Sequence, residues 1–196
     1  MPAPNLYTNR LILRKWENED LLIFANMNKD LRVMEFFPSV LSEKESNLIA
    51  QKIIKELQEK EYGLWAVELK ETSSFIGFVG LHQVDFVAPF TPCIEIAWRI
   101  AFDYWRKGYA FEAASKVIDY AFDTLKLKEI VSFTTVSNIR SRKLMEKLKM
   151  IHDKKDDFDH PKLSKNHPLH KHVLYRLKNP NIKIIKKNNK YNLRCQ

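Results

Sequence analysis

The segment from Cys93 to Leu125 constrains the fold most. It opens on CIEIAWRI, an apolar run of strand length, and passes through AFDYWRKG. Ala110, Ala113, Ala114, Val117, Ile118, Ala121, Phe122 and Leu125 then recur at i, i+3, i+4, i+7, i+8, i+11, i+12 and i+15. That spacing writes one continuous apolar stripe along a helix, and such a stripe placed directly after a strand has to lie on a sheet. Gly108 stands at the joint. The first N–H groups of a helix have no internal acceptor and the dipole is positive at that end, so a joint of this kind is a site for an anion, phosphate above all. Gly108 and Ala110 keep side chains off the backbone, and Arg106 and Lys107 add charge at the rim. A glycine here serves tight strand–helix packing equally well, and this stretch alone leaves both readings open. It is not a Walker loop, because no Gly-Lys-Ser/Thr follows, nor a dinucleotide fingerprint, because the other glycines are missing.

The rest of the chain alternates in period. LILRKW (11–16) reads as a strand. Residues 18–29 read as a short helix with Leu21, Leu22, Ala25 and Asn28 on one face, and Leu31 to Phe37 as a further helical turn stopped at Pro38. Ser42 and Glu45 form a capping box that opens a helix to about Lys60, with Leu48, Ile49, Lys52, Ile53 and Leu57 along a face. YGLWAVEL (62–69) and FIGFVGLHQV (75–84) flank the polar turn KETSS, a hairpin signal. KEIVSFTTV (128–136) is a strand, NIRSRKLMEKL (138–148) a helix, and HVLYRL (172–177) a closing strand. There is no internal repeat and no second domain.

Composition excludes several classes. A hydrophobic content of 45% fits a globular chain and not a disordered one. No apolar run reaches the roughly 18 residues of a membrane span, and MPAPNLYTNR lacks the features of a secretory signal. A cytoplasmic location is the expectation. Cys93 and Cys195 read as unpaired thiols of a reducing compartment. Of the net charge of +9, six charges lie from Lys178 onward, where no acid occurs, which leaves +3 on residues 1–177. The Asn/Lys-rich tail 178–196 therefore reads as a solvated extension, and nucleic acid is not an expected partner.

Two motifs carry a resemblance. EIAWRI followed by AFDYWRKGYAFEA, and then SNIRSRKLMEKLKM after a further strand, resemble the GNAT superfamily of acyl-CoA N-acyltransferases, within it the Rim-type branch of ribosomal-protein N-terminal acetyltransferases. The resemblance covers roughly residues 8–177. It implies an α/β (α+β) GNAT fold, a mixed central sheet of about seven strands splayed in the middle, with about four to five helices. It implies acetyl-CoA as cofactor and a primary amine as acceptor, either a protein N-terminus or a small molecule, in a monomer or homodimer. The alternative is a GNAT-fold module that binds acyl-CoA without turnover.

Carried onto this chain, the family's pyrophosphate loop (Arg/Gln-x-x-Gly-x-Gly/Ala) falls on Trp105 to Ala110, and the backbone of Arg106, Lys107, Gly108, Tyr109, Ala110 and Phe111 would wrap the pyrophosphate. Trp105 departs from its first position, and Arg106 stands where a small residue is common. The backbone of Trp98 and Ile100 would pair with the pantetheine arm like an added strand. Asn138 would contact the cofactor arm, and Ser141 would be the acid for the leaving thiolate; both also fit simple helix capping. Glu95 is the candidate base, since a carboxylate in an apolar strand has to be paired or face a cleft, and burial raises its pKa toward a useful range. A structural role beside Arg99, Arg106 or another cation is the competing reading. The loop 156–172 reads as an acceptor-site lid, with Asp157 and Asp159 for a cationic amine and His160 as a second candidate base. A metal site and a purely structural loop are its rivals, and the His/Asp spacing matches no zinc pattern.

Overall fold

The structure, a computed structural model, describes residues 2–181. Short strands β1 (Leu6–Tyr7) and β2 (Leu11–Arg14) precede helices α1 (Asn18–Lys29) and α2 (Glu43–Glu59). Strands β3 (Leu64–Leu69), β4 (Ser74–Gln83) and β5 (Ile94–Ile100) lead to α3 (Tyr109–Asp119), β6 (Glu129–Thr135) and α4 (Ile139–Lys147). Two-residue strands β7 (Ile151–His152) and β8 (Phe158–Asp159) and the long β9 (Lys171–Lys178) follow. They form one sheet of nine strands in the order β1-β2-β3-β4-β5-β6-β9-β7, with β8 also on β9. The sheet exceeds the expected seven strands because β1, β7 and β8 are two-residue pairings, too short to leave a periodic signal.

Every pairing is antiparallel except β5 with β6, and that one consists of a single bridge, Glu95 opposite Val131. Past this point β5 and β6 share no further register, so the sheet parts there. The alternation of β5 then sends Glu95, Ala97 and Arg99 to one face and Ile96, Trp98 and Ile100 to the other. The first face carries α1: Phe24 stacks edge-on against Phe78, the cross-strand partner of Arg99, at 6.0 Å. The second carries α3 and α4: Ala113, Ala114 and Val117 are fully buried there, and Trp98 reaches Ser141 of α4. The stripe predicted through Leu125 is present. It continues past α3 as a wider turn, in which Leu125 N–H donates to Tyr120 O at 3.1 Å.

Three local expectations change. Leu31 to Phe37 forms successive turns and no helix, because the Asp30 carboxylate accepts from both the backbone N–H and the guanidinium of Arg32, turn chemistry that competes with helix propagation. The buried face of α2 is Ser46, Ala50, Ile53 and Leu57, while Leu48 and Ile49 are exposed. Ser46 turns inward because its hydroxyl accepts from the buried Asn28 of α1 at 3.1 Å. In α1, Leu22 is exposed and Phe24 takes its place in the core. The Ser42–Glu45 capping box and the KETSS hairpin are present as expected. Strand β9 runs through Lys178, and Asn179 is buried beyond it. Cys93 is a free thiol, and Cys195 lies outside the described residues. No described helix is long and apolar enough to cross a membrane.

Candidate active site

The joint at Gly108 answers the question its sequence poses. Gly108 has φ +84°, and a Cβ added there would meet only the Arg10 guanidinium, at 3.4 Å. Close packing therefore does not require the glycine; the left-handed backbone does. Arg106 is left-handed too, at φ 60°, while Lys107 between them is not. Alternation of hand along successive residues turns their N–H groups to one concave side, which is an anion-binding nest. Gly108 is the N-cap of α3 and offers no side-chain cap, so the first-turn N–H groups stay open. The loop is pinned from outside. Arg10 donates to Lys107 O at 3.0 Å, pairs with Glu112 at 2.7 Å and lies over the Tyr109 ring at 4.5 Å. Glu112 also accepts from Thr8 Oγ1 at 2.6 Å and Arg10 N–H at 2.8 Å. These contacts hold its pKa down despite partial burial.

Trp105, the departure from the family's loop, folds back instead. Its indole donates to Ile100 O at 2.6 Å and the Arg140 guanidinium stacks on it at 4.8 Å. One lone pair of the Ile100 carbonyl is thereby taken, which leaves Trp98 as the freer backbone station on β5. Trp98 donates from its own indole to Ser141 Oγ at 3.3 Å. Asn138 caps α4, accepting from Ser141 N–H at 3.2 Å, and its amide donates to Thr134 Oγ1 at 2.9 Å.

Glu95 lies at the parting of the sheet and is buried, only 7% exposed. Neither Arg99 nor Arg106 pairs with it. Its partner is His82, directly across on β4, with Nε2 to Oε2 2.9 Å. Burial pushes the Glu95 carboxyl up; the hydrogen bond and charge of His82 and the N–H of Phe133 offset this only in part. Burial lowers His82, but the hydrogen bond and charge of Glu95 and the Gln83 carbonyl raise it more, for a net upward shift. His82 Nδ1 lies 3.3 Å from Gln83 O, so Nδ1 carries a proton and Nε2 faces the carboxylate. Nε2 and Oε2 meet across one hydrogen bond, so the two groups titrate as a coupled pair.

On the same face Arg99 reaches α1 and the α1–α2 connection. It donates to Asn28 Oδ1 at 2.6 Å, and its guanidinium lies 4.1 Å from the Phe37 ring and 5.5 Å from Phe78. Burial brings its pKa down to about 10. The connection also crosses to α4 through a Glu35–Arg140 ion pair, so it roofs the parted strands.

The loop 156–172 contributes aromatic rings more than charges. His160 packs against Phe86 at 4.9 Å and His172 at 4.9 Å, beside Phe133 and Phe158. Its Nδ1 accepts from Lys162 N–H at 3.3 Å, so the ring's lone pair is in use, and burial first among several causes lowers its pKa. Asp157 pairs with His152 at 2.6 Å, and Asp159 lies 3.6 Å from His170. Both acids are thus engaged within their own segment. Two open surface depressions, beside Pro2–Tyr7 and along Glu43–Gln51, gather none of these groups. Among the described residues no three His, Cys, Asp or Glu side chains group as a metal site.

His82, Arg10, Glu112 and Asn28 were not singled out as site residues by motif. Their places depend on cross-strand register and on packing between elements distant in sequence, which periodicity does not encode.

A mixed sheet parted at one parallel bridge, with an anion nest at the following helix and a buried carboxylate–imidazole pair at the parting, defines an acyltransferase fold. The chain belongs to the GNAT acetyltransferases: the model of the acetyltransferase (GNAT) domain matches residues 10–151. It is 32% identical over 153 residues to the uncharacterized N-acetyltransferase YoaA of Bacillus subtilis, covering 74% of this chain and 81% of that one. A GNAT-family acetyltransferase structure from Bacillus anthracis superposes with TM-score 0.74 at 24% identity, covering 90% of this chain and 99% of the other. A spermidine N-acetyltransferase from Vibrio cholerae, in complex with CoA and spermine, gives TM-score 0.68 at 21% identity, with 88% and 97% covered. The protein is an acetyl-CoA-dependent N-acetyltransferase. These similarities carry the family and not the ribosomal-protein branch within it.

Proposed function

We propose that the protein moves the acetyl group of acetyl-CoA to a small primary amine by direct attack in a ternary complex. The observation that carries this is the buried Glu95–His82 pair, set where the only parallel bridge among the described residues ends and the β5 edge becomes free. Acetyl-CoA supplies the acyl group as a thioester. The nest from Arg106 to Phe111 takes the pyrophosphate, with Lys107 at its rim, and the free edge of β5 around Trp98 takes the extended arm. The amine enters from the α1 face, where the Glu95–His82 pair in its deprotonated form accepts the ammonium proton and frees the nitrogen lone pair. As nitrogen bonds to the acyl carbon, the carbon–sulfur bond breaks on the α4 face, and the second proton that the nitrogen sheds to become the neutral amide passes to water. There the Ser141 hydroxyl, oriented by the Trp98 indole, gives its proton to the departing sulfur and regains one from water. Asn138 fixes that serine through the cap it forms. His160, with its lone pair occupied, serves as a wall of the acceptor side, and Asp157 and Asp159 hold that wall through His152 and His170.

The test is calorimetric titration with acetyl-CoA. The wild type binds, and Gly108→Glu, which places a carboxylate in the nest, weakens binding at least about 100-fold. Equal binding by the two proteins overturns the nest assignment. Binding without release of CoA in the presence of any amine favours a sensor of the same fold instead.

A further inference from the structure

Arg99 is held in an unusual way. Its Nε has no contact with solvent and no hydrogen-bond partner. Nη1 is committed to Asn28 Oδ1. No carboxylate pairs with it among the described residues, and residues 182–196 contain no Asp or Glu that could do so. Phe37 and Phe78 cover its flat faces. A guanidinium placed so deep without an anion is costly, and the neutral Asn28 compensates only one of its five N–H groups. As a whole residue, however, Arg99 keeps partial solvent contact. Nη2 has no hydrogen-bond partner either and, unlike Nε, is not sealed from solvent, so the guanidinium opens at the Nη2 end of its Nε–Nη2 edge.

The position gives this edge a purpose. Arg99 stands on the face of β5 that carries Glu95, four residues along, or about 13 Å between Cα atoms. Both side chains stand on the same face of the strand, so a ligand lying along β5 on that face meets both. The unpartnered Nε belongs to the edge of the guanidinium fork that receives a planar carboxylate side-on. A single cation walled by two phenyl rings suits one charge on a flat group better than a doubly charged phosphate.

Resting on the acetyltransferase reading above, we propose that the acceptor is an amine that also bears a carboxylate, bound by Arg99 while its nitrogen faces Glu95 and His82. Amino acids are the simplest members of this class. The rings of Phe86, Phe133 and Phe158 line the neighbouring wall beside the Phe133 N–H that bonds Glu95, which favours an apolar side chain.

The experiment measures CoA release with the free amino acids and their matched α-amides, alongside calorimetric binding of acetyl-CoA. At least one amino acid is turned over with kcat/KM about 100-fold above its amide. Arg99→Gln, which keeps a donor for Asn28, erases that ratio while acetyl-CoA binding stays intact, and Arg99→Lys restores part of it. A merely structural arginine would lower both members of each pair alike. Amides used as well as acids overturn the proposal, as does acetyl-CoA binding with no amino acid turned over. Failure of acetyl-CoA to bind overturns the cofactor reading first, and this inference with it.

Discussion

The role proposed for Glu95 depends on its neighbours. In an apolar strand a carboxylate is conspicuous, and its candidacy as base was legible for that reason. Its partner was not. His82 lies in a strand whose alignment with β5 depends on the connection through residues 84–93, and no local pattern fixes that register. The pairing sets the pH dependence. The base form is the deprotonated pair, and Glu95 lifts the pKa of His82, so kcat/KM rises with pH along a limb centred above the ordinary histidine value of 6.5. In Glu95→Gln the charge and charge-assisted hydrogen bond that raise His82 most are lost, leaving burial against the weaker upward pulls of the Gln83 carbonyl and Glu56, so the limb moves to lower pH while the rate falls about 10²–10³-fold. Rate profiles of the two proteins across that range check both effects, and a limb that stays put in the variant removes the pair from the proton path. Gly108 was legible as a special position, but the sequence allowed packing or anion approach. The open space around its absent Cβ speaks against the packing reading, and the left-handed Arg106 beside it is what the proposed anion site rests on.

At the scale of elements, α3 and α4 were readable from capping and stripe, while the connections that make the site were not. The segment 30–42 has apolar residues at turn-like spacing and still forms no helix, since Asp30 captures Arg32 and Phe37 is drawn onto Arg99. The nest likewise depends on a contact across the chain: Thr8 and Arg10, from the β1–β2 hairpin, converge on Glu112 in the first turn of α3. Glu112 sits where an acid also favours the helix dipole. Its loss removes the anchor of Arg10, which then holds the loop only through Lys107 O and the Tyr109 ring, and takes the carboxylate acceptor from Thr8 Oγ1, Arg10 N–H and Arg10 Nε. Glu112→Ala is therefore expected to lower stability by about 2 kcal/mol. It is also expected to weaken acetyl-CoA binding about tenfold, as the loop must then be ordered on binding. Urea unfolding and calorimetry read the two effects separately; a stability loss with unchanged affinity would show that the loop holds its shape without this clamp.

Across the whole molecule, the sheet is two antiparallel blocks, β1–β5 and β6–β9, hinged at Glu95 and Val131. The proposed chemistry sits at this hinge, where β5 and β6 part and leave a backbone edge free to receive an extended ligand, while α1 covers one face and α3 and α4 the other. The second block ends later than the closing apolar run suggests. Asn179 donates from its backbone to Lys128 O at 2.9 Å and from its side chain to Leu127 O at 2.9 Å, stitching the end of β9 to the start of β6. A polar residue gives no sign of burial in sequence, so this stitch was not legible. Beyond it, Lys183, Lys186, Lys187, Lys190 and Arg194 bring five positive charges without an acid. Two truncations separate the roles of these regions. Removing residues 182–196 should leave acetyl-CoA affinity within about twofold near 0.15 M salt, because fixed amides hold the pyrophosphate and exposed charges are screened there. Removing residues 178–196 also takes Asn179 and the last pairing of β9, and should cost about 2–3 kcal/mol. Calorimetry and urea unfolding distinguish them. A large loss of affinity in the shorter truncation, growing as salt is lowered, would make the basic tail part of the phosphate site.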